Sequence, residues 1–100
     1  MISMLEAWEH VKDRESGGNI RAIGDGGMAA GAGQMWWVFR KDWWPAWAWE
    51  LLEALDYMAF RKFVKANAAL GLTLRGLYEE HYNPHSRAPE LPDEMIDLKS

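Results

Sequence analysis

Glu15 is the residue of this sequence best placed for acid–base chemistry. Met4, Trp8, Val11 and Glu15 follow at i, i+4, i+7 and i+11, a spacing that puts all four on one face of a helix. The carboxyl then points to the core side, in the last turn, where the helix dipole disfavours negative charge. Desolvation and dipole act together to favour the protonated carboxyl, which is what a general acid needs. On helix position alone, the same residue reads as a Glu snorkelling from the helix edge into water. Ser16 follows it directly. Asp25, ten residues further on, is a candidate second carboxylate, although Asp25-Gly26 is also simply a good turn.

The elements that must position these groups are legible in part. Ser3-Met4-Leu5-Glu6 is a capping box, with Ser3 as N-cap and Glu6 three residues on; Gly17-Gly18 ends the first helix. Six glycines between Gly17 and Gly31 exclude a continuous helix there. Asp25-Gly26, with Ile20, Ala22 and Ile23 before it and Met28 after, predicts a small hairpin or irregular loop. Helix is expected again from Ala29 or Gly33 through Gln34 to Phe39. Asp42 and Pro45 mark the next start, and a long helix over roughly 45–69 would carry Trp47, Leu51, Leu55, Met58 and Phe63 on or near one stripe. Gly71 stops it. Thr73 caps a further helix through Leu74, Leu77, Tyr78 and His81, which Pro84 terminates. A tail with Pro89 and Pro92 follows, with one turn around Met95-Ile96. The expectation is one domain over residues 1–100, with a core over 4–86 and a tail over 87–100. Its fold is mainly α, with a small β-hairpin or loop insert after the first helix.

Composition narrows the function. The 100 residues suffice for one domain. A net charge of −4 argues against binding a nucleic-acid backbone, which needs clustered positive charge. The chain has no Cys, which excludes disulfides, thiolate metal sites and a cysteine nucleophile. No stretch approaches the roughly 20 apolar residues of a transmembrane helix, and Met1 to Glu6 do not form a secretory signal. His81 and His85 are four apart, but Pro84 breaks the helix that would align them, so no metal pair is expected. Glu79-Glu80 and Asp93-Glu94 read as solvated faces. Trp36, Trp37, Trp43, Trp44, Trp47 and Trp49 are core or groove wall; a membrane-interface role is the lesser reading.

The surroundings of Glu15 add a family resemblance. Glu15-Ser16-Gly17-Gly18-Asn19, then Gly24-Asp25-Gly26-Gly27, then Ala30-Gly31-Ala32-Gly33-Gln34-Met35 and finally Tyr82-Asn83 resemble the catalytic core of lytic transglycosylases. The goose-type and phage lysozyme-like murein hydrolases share that core. The resemblance spans roughly residues 4–86, and the Gly-Asp-Gly-Gly loop looks most like small phage-encoded members. One departure is Pro84-His85, where the family has a small residue and Gly.

The resemblance implies a reduced lysozyme-like (α+β) fold and cleavage of the β-1,4 bond between N-acetylmuramic acid and N-acetylglucosamine. It makes Glu15 the catalytic acid/base, with Ser16 contacting the Glu or the sugar. Gln34 and Met35 would line the glycan groove, Tyr82 would orient the Glu15 carboxyl, and Asn83 would lie nearby. A hydrolase needs a second carboxylate, for which Asp25 is the candidate, whereas a transglycosylase works with one Glu because the sugar's 6-hydroxyl attacks. The implied partner is the glycan strand of peptidoglycan, with no metal or organic cofactor. The setting would be a phage endolysin or virion component made in the host cytoplasm and acting at the wall. The rival readings are a non-catalytic glycan-binding or virion structural module, and a helical protein-interaction domain.

Overall fold

The first helix forms where its caps and apolar stripe put it. The computed structural model describes residues 1–36 and 49–100, with residues 50–52 through their backbone alone. In chain order the elements are β1 (Ile2–Ser3), α1 (Met4–Ser16), β2 (Ile23–Gly24), β3 (Ala29–Ala30), β4 (Met35–Trp36), α2 (Trp49–Ala66), α3 (Leu74–Leu77) and β5 (Ile96–Asp97). The whole is a small α+β domain. At the start of α1 the Ser3 hydroxyl accepts from the Glu6 amide at 3.0 Å. At its end Gly17 takes the left-handed conformation at φ 66°, which costs glycine nothing sterically. Met4, Trp8 and Val11 are buried as the spacing predicts, and Glu15 is half-buried.

The hairpin after α1 is present: β2 and β3 pair antiparallel around a tight turn at Asp25–Gly27. The helix expected from Ala29 or Gly33 is not. β3 turns instead into β4, with Ala29 opposite Trp36 and Ala30 opposite Met35. The reason is backbone geometry: Gly31 at φ 84° and Gln34 at φ 50° both leave the right-handed helical region. The remainder of that expectation, Trp37 to Phe39, lies outside the described residues, as do Asp42, Trp43, Trp44, Pro45 and Trp47.

α2 is the long helix, and a short helical turn over Ala68–Leu70 leads to Gly71 at φ 66°. Its core stripe is only partly the expected one. Phe60 and Val64 are buried, and the Phe60 ring packs 5.0 Å from that of Trp8. Phe63 packs at the edge of this core and, with Leu55 and Met58, borders a groove, Met58 being 55% exposed; the side chain of Leu51 lies outside the described residues. Thr73 caps α3 as predicted, its hydroxyl accepting from the Gly76 amide at 3.2 Å.

The segment expected to trail as a tail closes the core. β5 pairs parallel with β1, Ile2 opposite Ile96, so the expected turn at Met95-Ile96 gives way to a strand that uses the free edge of β1. The Ser100 hydroxyl accepts the Met4 amide at 2.7 Å, satisfying one of the unpaired donors at the start of α1. Ala88, Leu91 and Ile96 are all buried in the same core as Trp8 and Phe60. No helix among the described residues is long and apolar enough to cross a membrane.

Candidate functional site

α3 does not stop at Leu77. It widens into a π-helical turn over Tyr78–Tyr82, closed by the Asn83 amide donating to the Tyr78 carbonyl at 2.8 Å. In an α-helix, residues five apart point about 140° away from each other. In a π turn the fifth residue comes back over the first. Tyr78 and Asn83 therefore both reach the end of α1. The Tyr78 hydroxyl donates to Glu15 Oε1 at 2.5 Å, and the Asn83 amide donates to the same oxygen at 3.4 Å. Oε1 thus accepts both bonds, and among the described residues no donor bonds Oε2.

Tyr78 is 1% exposed. Burial, and then the hydrogen bond to the Glu15 carboxylate, hold its phenol above the ordinary range, so it remains a donor. Arg14 also contacts Tyr78, and that contact is the leading cause of the raised Arg14 pKa. The Arg14 guanidinium also bonds Glu90 at 2.6 Å, the Ser86 hydroxyl at 2.7 Å and the Arg87 carbonyl at 2.6 Å.

The predicted residues fall around this centre with altered roles. Tyr82, expected to orient Glu15, donates instead to the Gly33 carbonyl at 2.6 Å, and its ring stacks on that of Tyr78 at 5.6 Å and 19°. The orienting hydroxyl belongs to the tyrosine one turn earlier. Ser16 donates to the Ala32 carbonyl at 2.6 Å, so its proton ties the loop to the end of α1 rather than to Glu15. Gln34 is a loop staple, its side-chain amide donating to Ala22 and Gly31 carbonyls at 3.1 and 2.9 Å. Met35 is buried beside it. Asp25 is exposed at the hairpin tip at φ 51°, a conformation Asp tolerates better than most residues, and its backbone carbonyl receives the Met28 amide.

Gly33 sits where the site meets the core. A β-carbon there would overlap the Trp8 ring and lie 3.0 Å from the Tyr82 hydroxyl. Absence of a side chain lets the loop approach both.

Gln34, Met35 and Tyr82 also border a cavity of about 540 Å³, closed on its other side by the Leu55, Met58, Ala59 and Phe63 stripe of α2. Glu15 is not in its wall. The cavity begins beyond Tyr82, the ring stacked on the tyrosine that holds the carboxyl. Glu79, expected on a solvated face, is a further departure: its carboxylate accepts the Ala88 amide at 2.7 Å.

Sequence reasoning missed Tyr78 and Arg14. The Tyr78/Tyr82 spacing of four hinted at the first; nothing local marked the second, whose bonds to Ser86 and Glu90 reach more than 70 residues along the chain. Among the described residues no group of three or more His, Asp or Glu side chains is placed to hold a metal ion. No protein-family model, no curated protein and no solved structure matches this chain.

Proposed function

We propose that this chain is a peptidoglycan-cleaving glycosidase in which Glu15 is the general acid/base. The observation that carries the reading is the convergence of the Tyr78 hydroxyl and the Asn83 amide on one oxygen of the Glu15 carboxyl. These residues lie 63 and 68 positions apart in the chain. A carboxyl held in one orientation, with its second oxygen left over, can protonate a leaving oxygen without first reorganising. The glycine-lined loop beside it and the α+β order of helix, hairpin and helix support the same reading, together with the order of the motifs.

In the proposed reaction Glu15 protonates the glycosidic oxygen as the C1–O bond breaks. The carboxylate then takes the proton of the sugar's 6-hydroxyl as that oxygen bonds to C1, giving a 1,6-anhydro end. This single-carboxylate route is favoured because Asp25 is exposed on the hairpin tip and its turn accounts for it. Hydrolysis would need a second carboxylate, as nucleophile or as the base that activates water.

The test is mass spectrometry of purified sacculi digested with the wild-type chain and with Glu15→Gln. Anhydro-ended muropeptides from the wild type alone are the expected result. Reducing-ended products would replace the transglycosylase by a lysozyme and bring Asp25 into the chemistry. No soluble product from either protein refutes cleavage and leaves a glycan-binding or interaction module.

A further inference from the structure

Tyr78 has one hydroxyl proton and spends it on Glu15 Oε1, so toward any other neighbour its oxygen can only accept. Arg14 is such a neighbour. Its planar fork is aimed by the segment that follows the π turn. Nη1 donates to Glu90 at 2.6 Å, while Nη2 donates to the Ser86 hydroxyl at 2.7 Å and the Arg87 carbonyl at 2.6 Å. Those three bonds leave two of the five guanidinium N–H groups, on Nε and Nη1, for other acceptors. The same guanidinium meets the Tyr78 side chain, where its charge opposes the effect of burial on the phenol. A cation set against the oxygen of an O–H group makes that group a stronger donor.

We propose that Arg14 is a positioning residue for Glu15, its guanidinium strengthening the hydrogen bond that the Tyr78 hydroxyl donates to the carboxyl. Its consequence for catalysis rests on the glycosidase reading above. The relay runs Arg14 to Tyr78 to Glu15, and it joins the residue before the acid to the acid by way of the π turn. Arginine suits the place because one rigid plane of donors faces several acceptors at once, which a lysine ammonium cannot reproduce. Glu90 sets how much of the charge Tyr78 feels, because its carboxylate partly neutralises the guanidinium at 2.6 Å. The Glu90 side chain is half exposed, so Glu90→Gln removes that charge without opening the core.

The experiment follows the hydroxyl-bearing ring carbon of Tyr78 by NMR, its signal assigned by its absence in Tyr78→Phe. Arg14→Met should ionise at higher pH than wild type, because the cation that favours the phenolate is gone. Glu90→Gln should ionise at lower pH, because the same cation is no longer neutralised. A residue that merely braced the chain would make both substitutions loosen one contact and shift Tyr78 the same way, which overturns the proposal. Where Arg14→Met does not fold, Glu90→Gln decides alone, and a rise or no change overturns it. Sacculus cleavage is the second readout. Arg14→Met should slow turnover about tenfold, less than the hundredfold or more that a general acid itself supplies. In a Tyr78→Phe background the same substitution should cost nothing further, because the relay is already cut; a full additional loss there overturns the relay. Opposite NMR shifts with no cleavage by the wild-type chain support the relay and overturn the glycosidase reading instead.

Discussion

Removing a single oxygen from Tyr78 tests the geometry of the site most directly. Phenylalanine at this position keeps the ring that stacks on Tyr82 at 5.6 Å and deletes the hydroxyl that donates to Glu15 at 2.5 Å. The remaining donor, Asn83 at 3.4 Å, is too long to compensate. A hydrogen bond to a charged group contributes about 1.5–3 kcal/mol, so Tyr78→Phe should lower the urea midpoint at neutral pH by about 1 M. Sacculus cleavage should fall along with it. The pH dependence follows from the raised phenol. Because the folded chain holds this proton more tightly than the unfolded one, the contribution is complete below the ordinary value of 10.0 and is lost as pH rises through the higher folded value. The stability gap between wild type and Tyr78→Phe should therefore narrow above about pH 10. Lys12 also titrates there. Burial lowers its pKa, but bonds to Glu53 and Glu9 outweigh this and leave it raised; both proteins contain it, so it cancels in the difference. A variant within about 0.5 kcal/mol of wild type at neutral pH, or a gap that does not change into alkali, would refute the reasoning.

Two further substitutions separate structure from chemistry. Gly33→Ala drives a methyl group into the Trp8 ring, and Trp8 cannot retreat because Phe60 packs against it at 5.0 Å. A cost of about 1–3 kcal/mol is expected, read as a fall of several degrees in Tm; an unchanged Tm would mean that the loop does not pack against Trp8 as described. Asp25→Asn keeps a residue that tolerates φ 51° while removing the charge. Fold and anhydro products should persist, and a loss of about a hundredfold or more would make Asp25 a working carboxylate.

What could be read from the sequence was local. Ser3, Gly17 and Thr73 act as the caps and stops that their residue types announce, because a cap is decided by a few neighbouring atoms, whereas Gly71 closes only the short turn after α2, which itself ends at Ala66. The stripe through Met4, Trp8 and Val11 pointed inward for the same reason. Errors arose where tertiary contacts outweigh local preference. The α2 stripe was only partly assigned because Leu55, Met58, Phe60 and Phe63 are all apolar, and the rings of Trp8 and Tyr82 cover Phe60 and Phe63 while Leu55 and Met58 border the groove. The helix expected over Gln34 gave way to β4 once Gly31 and Gln34 adopted positive φ. Around Glu15, the nearness of Asn83 that the resemblance implied is seen, whereas the tyrosine that bonds the carboxyl was not the expected one. A π turn has no sequence signature, and that turn is what brings Tyr78 and Asn83 to the same oxygen.

The C-terminal segment explains how so small a chain holds this arrangement. Arg75 bonds the Leu91 carbonyl at 3.0 Å and the Pro89 carbonyl at 3.1 Å, while Glu79 accepts the Ala88 amide from the same stretch. Arg14, the neighbour of Glu15, grips Ser86, Arg87 and Glu90, and β5 pairs with β1 immediately before α1. Residues 86–97 thus fasten the π turn on one side and both ends of α1 on the other. Each bond is individually modest, on the order of 1 kcal/mol, but together they set the distance between Tyr78 and Glu15. A π turn is an unfavourable way to continue a helix, and it persists when its surroundings fix it. The segment that looked like a tail is therefore the brace that makes a two-donor clamp on Glu15 possible in 100 residues.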